Sequence, residues 1–212
     1  MSIRGTRVLL IGATTRAGQG LVEALLALGA EVIATGALRT ELDQLVADMH
    51  QHERLHQADV DPTSPEALAR VMVDVSRSAP LDVILVVLEA GPPGPLASKE
   101  PRKALRGMIE HTFETACWAL RTGVATLART GGGRIVVLTD GPGTPDPEAP
   151  IRAAAGAAVR VLIESNQKPV AAQGIGLLGV STHAFHGRPA ALAERVLEFL
   201  DPDHPLPVEP FV

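Results

Sequence analysis

The sequence predicts an α/β fold: a doubly wound parallel sheet of six or seven strands, Rossmann-like, in three α/β/α layers, built as a single domain over residues 1–212. Three observations carry that expectation. Short apolar runs alternate with segments of helical spacing along the whole chain, and such alternation implies parallel strands joined by right-handed helical crossovers. The strands read as continuous Val/Ile/Leu runs, as strands buried on both faces do. Hydrophobic residues make up 46% and aromatics only 2%, so the core is aliphatic, in a chain long enough to bury one.

The elements follow in order. Arg7 to Gly12 is an apolar run ending in glycine, the first strand. Gly18 to Leu28 has helical spacing, with Leu21, Leu25 and Leu28 on one side, and Gly29 stops it. Glu31 to Thr35 is the second strand and Arg39 to Met49 a second amphipathic helix. Leu55 to Val60 is a less apolar third strand. After Asp61-Pro-Thr-Ser, Pro65 suits the first turn of a helix over Glu66 to Val75. Leu81 to Leu88 is a buried strand. The Gly/Pro loop Ala90 to Pro95 leads to a long helix from about Arg102 to Ala128, closed by Gly131-Gly-Gly133. Arg134 to Thr139 is the fifth strand, and a second Gly/Pro loop, Gly141 to Pro150, enters a helix from Ile151 to about Gln167. Gly174 to Val180, Pro189 to Leu200 and Leu206 to Val212 read as a sixth strand, a last helix and an edge strand. There is no internal repeat.

Composition narrows the partners. The net charge of −5, without a Lys/Arg run or an aromatic platform, argues against nucleic acid. No apolar run reaches the length of a membrane span, and Met1 to Arg7 has no signal-peptide stretch. The single cysteine, Cys117 beside Trp118, excludes an internal disulfide, reads as a packed thiol, and fits a cytoplasmic location. A small-molecule ligand is the expected partner. The helix from Ile151 carries Ala153, Ala154, Ala155, Gly156, Ala157, Ala158, Val159, Val161 and Leu162. A helix apolar nearly all round implies burial on more than one face, hence a homodimer or homotetramer.

The first turn carries the main motif. Gly12-Ala-Thr14-Thr-Arg16-Ala-Gly18 lies between a predicted strand and a predicted helix, where backbone N–H groups and the helix dipole meet a pyrophosphate. An ordinary β–α turn has the same outline. No acidic residue closes the second strand to hold the ribose hydroxyls of NAD, whereas Arg39 is near enough to meet a 2′-phosphate. If a dinucleotide binds, NADP is favoured. Asp59 and Val60, closing the third strand, resemble the Asp-Val pair that flanks the adenine in the short-chain dehydrogenase/reductase family; capping of the next turn is the alternative reading of Asp59.

These landmarks resemble the short-chain dehydrogenase/reductase family over nearly the whole chain: Gly12 to Gly18, Leu81-Asp-Val, Gly132-Gly-Arg-Ile-Val136 and Gln173-Gly-Ile-Gly176. The family pattern Gly-x-x-x-Gly-x-Gly is met at Gly12 and Gly18 but has Arg16 at its middle glycine. The resemblance implies a proton-donating tyrosine, a lysine that lowers its pKa and holds the nicotinamide ribose, and an oxyanion-steadying serine. This chain contains no tyrosine at all. Counting from the landmarks puts Arg152 at the tyrosine, Gly156 at the lysine, Asp140 at the serine with Thr139 before it, and His111 or Thr112 at the helix asparagine. The asparagines after strand four reduce to Leu88-Glu89-Ala-Gly, and Ser181-Thr-His183-Ala-Phe-His186 replaces the Pro-Gly after strand six.

An arginine stays protonated and cannot serve as the acid, so hydride transfer by the family mechanism is not expected. Arg152 could clamp a carboxylate or an enolate, and Asp140, His111 or His183 could move a proton. An Asp140–Arg152 ion pair across a disused cleft is the structural alternative, and no metal site is expected. Three functions follow. One is a small-molecule enzyme of non-redox acid/base chemistry, such as isomerisation, elimination or cyclisation. The second is a non-catalytic nucleotide- or partner-binding homologue. The third is an NADP-dependent oxidoreductase with an unfamiliar proton donor.

Overall fold

The computed structural model describes residues 3–88, 105–107, 109–140, 149–185 and 188–201. Six strands, β1 (Arg7–Ile11), β2 (Glu31–Gly36), β3 (Leu55–Asp59), β4 (Val83–Leu88), β5 (Gly133–Thr139) and β6 (Ile175–Ser181), make one sheet in the order β3-β2-β1-β4-β5-β6. Every pairing is parallel. The helices are α1 (Arg16–Ala27), α2 (Arg39–Asp48), α3 (Pro65–Ser78), α4 (Thr115–Thr130), α5 (Pro150–Ala171) and α6 (Pro189–Leu200). The chain reverses its winding between β1 and β4, and the crevice that opens there at the carboxyl ends of the strands is where such sheets place a ligand.

The period of two along each strand divides the core. Val8 and Leu10 of β1, with Val32, Ala34, Leu85, Val136 and Val180, face α1, α2 and α6 through Leu21, Leu25, Leu42 and Phe199. Leu9 and Ile11, with Ile33, Ile84, Val86, Ile135 and Leu177, face α3, α4 and α5 through Leu68, Met72, Leu120, Val159 and Ile163. Two apolar layers on one sheet are the three-layer arrangement the sequence predicts. Gly123 lets α4 lie close: a Cβ there would stand 3.1 Å from Ile84 Cδ1. Arg7, at the start of β1, ties down the end of α3. It donates to the carbonyls of Val75 (2.8 Å) and Ala79, to Ser78 Oγ (2.8 Å), and to Glu31 (2.8 Å).

Two differences from the sequence reading stand out. The long helix before β5 is not one α-helix: Ile109–Glu114 forms a π-helical turn ahead of α4. The Thr115 hydroxyl sits 2.9 Å from the Glu110 carbonyl, five residues back, and 3.2 Å from that of Pro62, so the wide turn gains a bond to the loop before α3. Helix α5 runs on to Ala171 through Pro169, which is exposed two residues from the helix end and removes one hydrogen bond from the last turn. The predicted edge strand Leu206 to Val212 lies outside the described residues, within which the sheet has six strands.

Candidate functional site

The β1–α1 turn is built by what its glycines lack. Gly12 adopts φ +79°, and a Cβ there would collide with the Val87 carbonyl oxygen of β4. A Cβ on Gly18 would strike the Gly12 carbonyl and come within 2.9 Å of Ala13 Cα. Thr15 caps α1: its Oγ1 accepts from the Gly18 N–H (3.0 Å) and donates to the Gly12 carbonyl (2.9 Å). The N–H groups of Arg16 and Ala17, at the first two helical positions, have no carbonyl within the helix to bond. They are the donors a phosphate would use. The Arg16 side chain is exposed, whereas Thr14 is half-buried against Gly36, where an added Cβ would lie 2.9 Å from Thr14 Cγ2.

Arg39, at the start of α2, already holds two carboxylates, Asp43 at 3.0 Å and Asp59 at 3.5 Å. The hydrogen bond to Asp43 is the main cause that raises its pKa further above the usual guanidinium value. Asp59 is exposed at the end of β3, and Val60 is buried, its N–H donating to the Gly36 carbonyl at 3.1 Å. Arg39, Asp59 and Gly36 therefore share one rim, at the ends of β2 and β3.

Strands β5 and β6 end in hydroxyls. Thr139 closes β5 fully buried, in register with Leu88 of β4 and with Ser181, which closes β6 at 5% exposure. Thr182 Oγ1 donates to the Thr139 carbonyl at 3.4 Å. Asp140 follows Thr139 and is half-buried; Arg152 is half-buried in the first turn of α5, with its Nε shielded from solvent. His183 is exposed on a short 3-10 turn, Thr182–Phe185. His111 falls elsewhere. It is exposed on the π-helical turn, and its charge is felt at Asp61 in the β3–α3 loop. The Asp61 carboxyl is held below the usual range by the Thr63 hydroxyl (2.7 Å) and N–H (2.9 Å), with His111 a smaller cause.

Thus the structure gathers Thr139, Asp140 and His183 at the ends of β5 and β6, and sets His111 beside the β3–α3 loop. Glu89, His186 and residues 141–148 lie outside the described residues. Sequence reasoning passed over Ser181 and Thr182 as site residues. The available signal was a hydroxyl closing an otherwise apolar strand, as Thr139 does. It also left His111 and Thr112 as alternatives; the π-helical turn buries Thr112, whose Oγ1 has no hydrogen-bond partner among the described residues, and exposes His111. Among the described residues, no three His, Cys, Asp or Glu side chains converge as metal ligands, and no helix is long and apolar enough to cross a membrane.

Known proteins place this geometry in context. The sequence matches the short chain dehydrogenase family over residues 6–188. No curated protein sequence matches it. Among solved structures, ElxO with NADP bound superimposes with a TM-score of 0.86 at 14% identity, over 98% of this chain and 96% of that one. A short chain dehydrogenase from Mycobacterium smegmatis gives 0.83 at 23% identity, over 94% and 86%. A hydroxysteroid dehydrogenase from Escherichia coli gives 0.80 at 17% identity, over 93% and 90%.

Proposed function

Because the chain belongs to the short chain dehydrogenase family, we propose that it keeps the family's cleft for a small molecule but performs non-redox acid/base chemistry there. The observation that carries this reading is the complete absence of tyrosine from the sequence, beside a polar group retained at the strand ends: Thr139, Asp140, Ser181 and Thr182. Asp140 would be the proton carrier. Arg152 would hold a substrate carboxylate or a developing enolate, since a guanidinium offers paired donors and keeps its charge. The hydroxyl that orients the substrate carbonyl would come from the strand ends, where Thr182 is half-buried and Thr139 lies fully buried behind it. Isomerisation, elimination and cyclisation all need that set: a base, a fixed cation and a hydroxyl.

The same reading places a nucleotide, if one is retained, on the Arg16 and Ala17 N–H groups, flanked by Gly12, Thr14 and Gly18, with Asp59 and Val60 at the adenine. ElxO has been solved with NADP bound, and Arg39 is the residue here that would meet a 2′-phosphate. It would have to share its charge with Asp43 and Asp59. Such a group would supply hydride chemistry only with a proton donor beside it. The protein would work in the cytoplasm as a homodimer or homotetramer, with the exposed side of α5 at the contact.

Two measurements test the reading together. Small keto and hydroxy acids incubated with the protein in heavy water should incorporate deuterium beside the carbonyl, followed by proton NMR. Asp140→Asn should abolish the exchange, and ketones and aldehydes supplied with NADPH should leave its absorbance unchanged. Steady NADPH consumption by the wild type would instead establish the oxidoreductase. Absence of both activities, with saturable nucleotide binding retained, would favour the non-catalytic homologue.

A further inference from the structure

A second charged site lies at the opposite end of the sheet. Arg4 precedes β1, Gly29 precedes β2 and Arg54 precedes β3, so the three meet at the amino ends of the strands. The strands separate them from the carboxyl-end cleft by about 15 Å. Gly29 adopts φ +82°, and a Cβ there would lie 2.9 Å from Arg54 Nη1 and 3.6 Å from Arg4 Nε. Two guanidinium groups thus reach the same point of the surface. Arg54 is fixed in place by donating to the Gly29 carbonyl at 2.9 Å. Among the described residues, Arg4 has no carboxylate within ion-pair distance.

The neighbouring groups sharpen the charge. His52 Nδ1 accepts the Arg54 backbone N–H at 3.2 Å, which leaves Nε2–H as a further donor. Glu53 approaches Arg54 only to 3.9 Å and its side chain is 85% exposed, free to swing into water. Glu31 is committed to Arg7 at 2.8 Å, with His56 3.6 Å away. Two open clefts, of about 290 and about 520 Å³, flank the Arg4–Arg54 pair, and both are lined by Arg4, Gly29, Glu53 and Arg54.

We propose that the Arg4–Arg54 pair, with His52, is a binding site for a phosphate-type oxyanion, separate from the dinucleotide turn. Like charges held together are relieved by an anion shared between them. Guanidinium forks match phosphate oxygens two at a time. Glycine at position 29 keeps the backbone low enough for both side chains to fold over it.

The test is thermal unfolding of the whole protein in titrations of pyrophosphate, with potassium chloride at matched ionic strength. The wild type should show a saturable rise in Tm beyond the chloride control. Arg4→Gln, which removes an exposed charge that pairs with no carboxylate among the described residues, should need about tenfold more pyrophosphate for the same rise, the cost of one charge-assisted contact. Ala17→Pro, which removes a donor N–H of the dinucleotide turn in the first helical turn where proline is tolerated, should respond as the wild type does. A rise that is lost in Ala17→Pro and kept in Arg4→Gln, or one that chloride reproduces, would overturn the proposal. Orthophosphate and glucose 6-phosphate run in parallel identify the source: equal responses indicate the free ion, and a stronger sugar-phosphate response a phosphorylated small molecule.

Discussion

Alanine at each of three glycines in one turn should have three different effects. At Gly18 the added methyl meets backbone atoms, the Gly12 carbonyl and Ala13 Cα, which cannot rotate away, so α1 must shift. Overpacking of that kind costs about 3 kcal/mol at the upper end of its usual range. The gain from replacing a helical glycine by alanine returns about 1 kcal/mol, leaving Gly18→Ala about 2 kcal/mol less stable. Gly12→Ala adds a left-handed penalty of about 1 kcal/mol for its φ of +79°. It has no helical gain to offset the clash with Val87, which brings its loss to about 4 kcal/mol. At Gly20, two residues along the same helix, a methyl meets nothing within 4 Å, so Gly20→Ala should stabilise by about 0.5–1 kcal/mol. Urea denaturation with a common m-value reads all three. If Gly18→Ala matched the wild type, or Gly20→Ala lost more than about 0.5 kcal/mol, the packing argument for this turn would fail.

Other expectations test the cleft and the surface. Asp140 and Arg152 should lie within salt-bridge distance. If they are structural partners, Asp140→Asn and Arg152→Ala should each lower Tm, whereas catalytic partners should lose deuterium exchange with stability nearly intact. Asp61, whose carboxyl pKa is depressed chiefly by Thr63, stabilises the fold above the unfolded carboxylate range. Its contribution should disappear as pH falls from about 5 through the depressed folded pKa. The stability difference between wild type and Asp61→Asn should therefore be constant at neutral pH and shrink in acid; a difference that grew in acid would reverse the assignment. Val161, 60% exposed on α5, should lie in the self-association surface, so sedimentation should find a dimer or larger for the wild type and a shift toward monomer for Val161→Glu.

The inner strands were legible because burial on both faces writes them as unbroken aliphatic runs: Val83–Leu88 is buried at every position. The helices were legible through punctuation. Pro65 opens α3 behind Ser64, whose hydroxyl accepts the Ala67 N–H at 3.2 Å, and Gly131 closes α4 at φ +100°. The π-helical turn was not legible, because its cause is tertiary. The spacing around His111 is helical in either register, and a contact to Pro62, 53 residues away, helps hold the wider one. Nor did spacing distinguish His111 from Thr112. One residue of register decides which of them is buried, and backbone packing sets that register. Arg39 shows the same limit on the electrostatic side. In the sequence it is a cation near the end of β2, but in the fold Asp59, 20 residues on, closes upon it.

The glycine pattern of the first turn has to be weighed differently once its geometry is known. Gly12 is required by the Val87 carbonyl and Gly18 by the Gly12 carbonyl, and both contacts belong to the packing of β1, β4 and α1. A chain that had abandoned its nucleotide would still need both glycines to fold. The pattern therefore testifies to the fold and says little about the ligand. Evidence for a ligand has to come from groups the fold does not consume: the N–H groups of Arg16 and Ala17, and the buried Thr112 hydroxyl. Thr15 marks the dividing line, since its hydroxyl is fully spent, accepting from Gly18 and donating to Gly12. Thr15→Ala should thus cost about 1 kcal/mol of stability without changing nucleotide affinity, where nucleotide binds. A variant at Thr112 that preserves shape, Thr112→Val, should leave stability unchanged or raised, because it removes a buried polar atom that has no partner among the described residues. Loss of stability on that change would mean the hydroxyl is held by a bound water or ligand, and that the cleft extends to the π-helical turn.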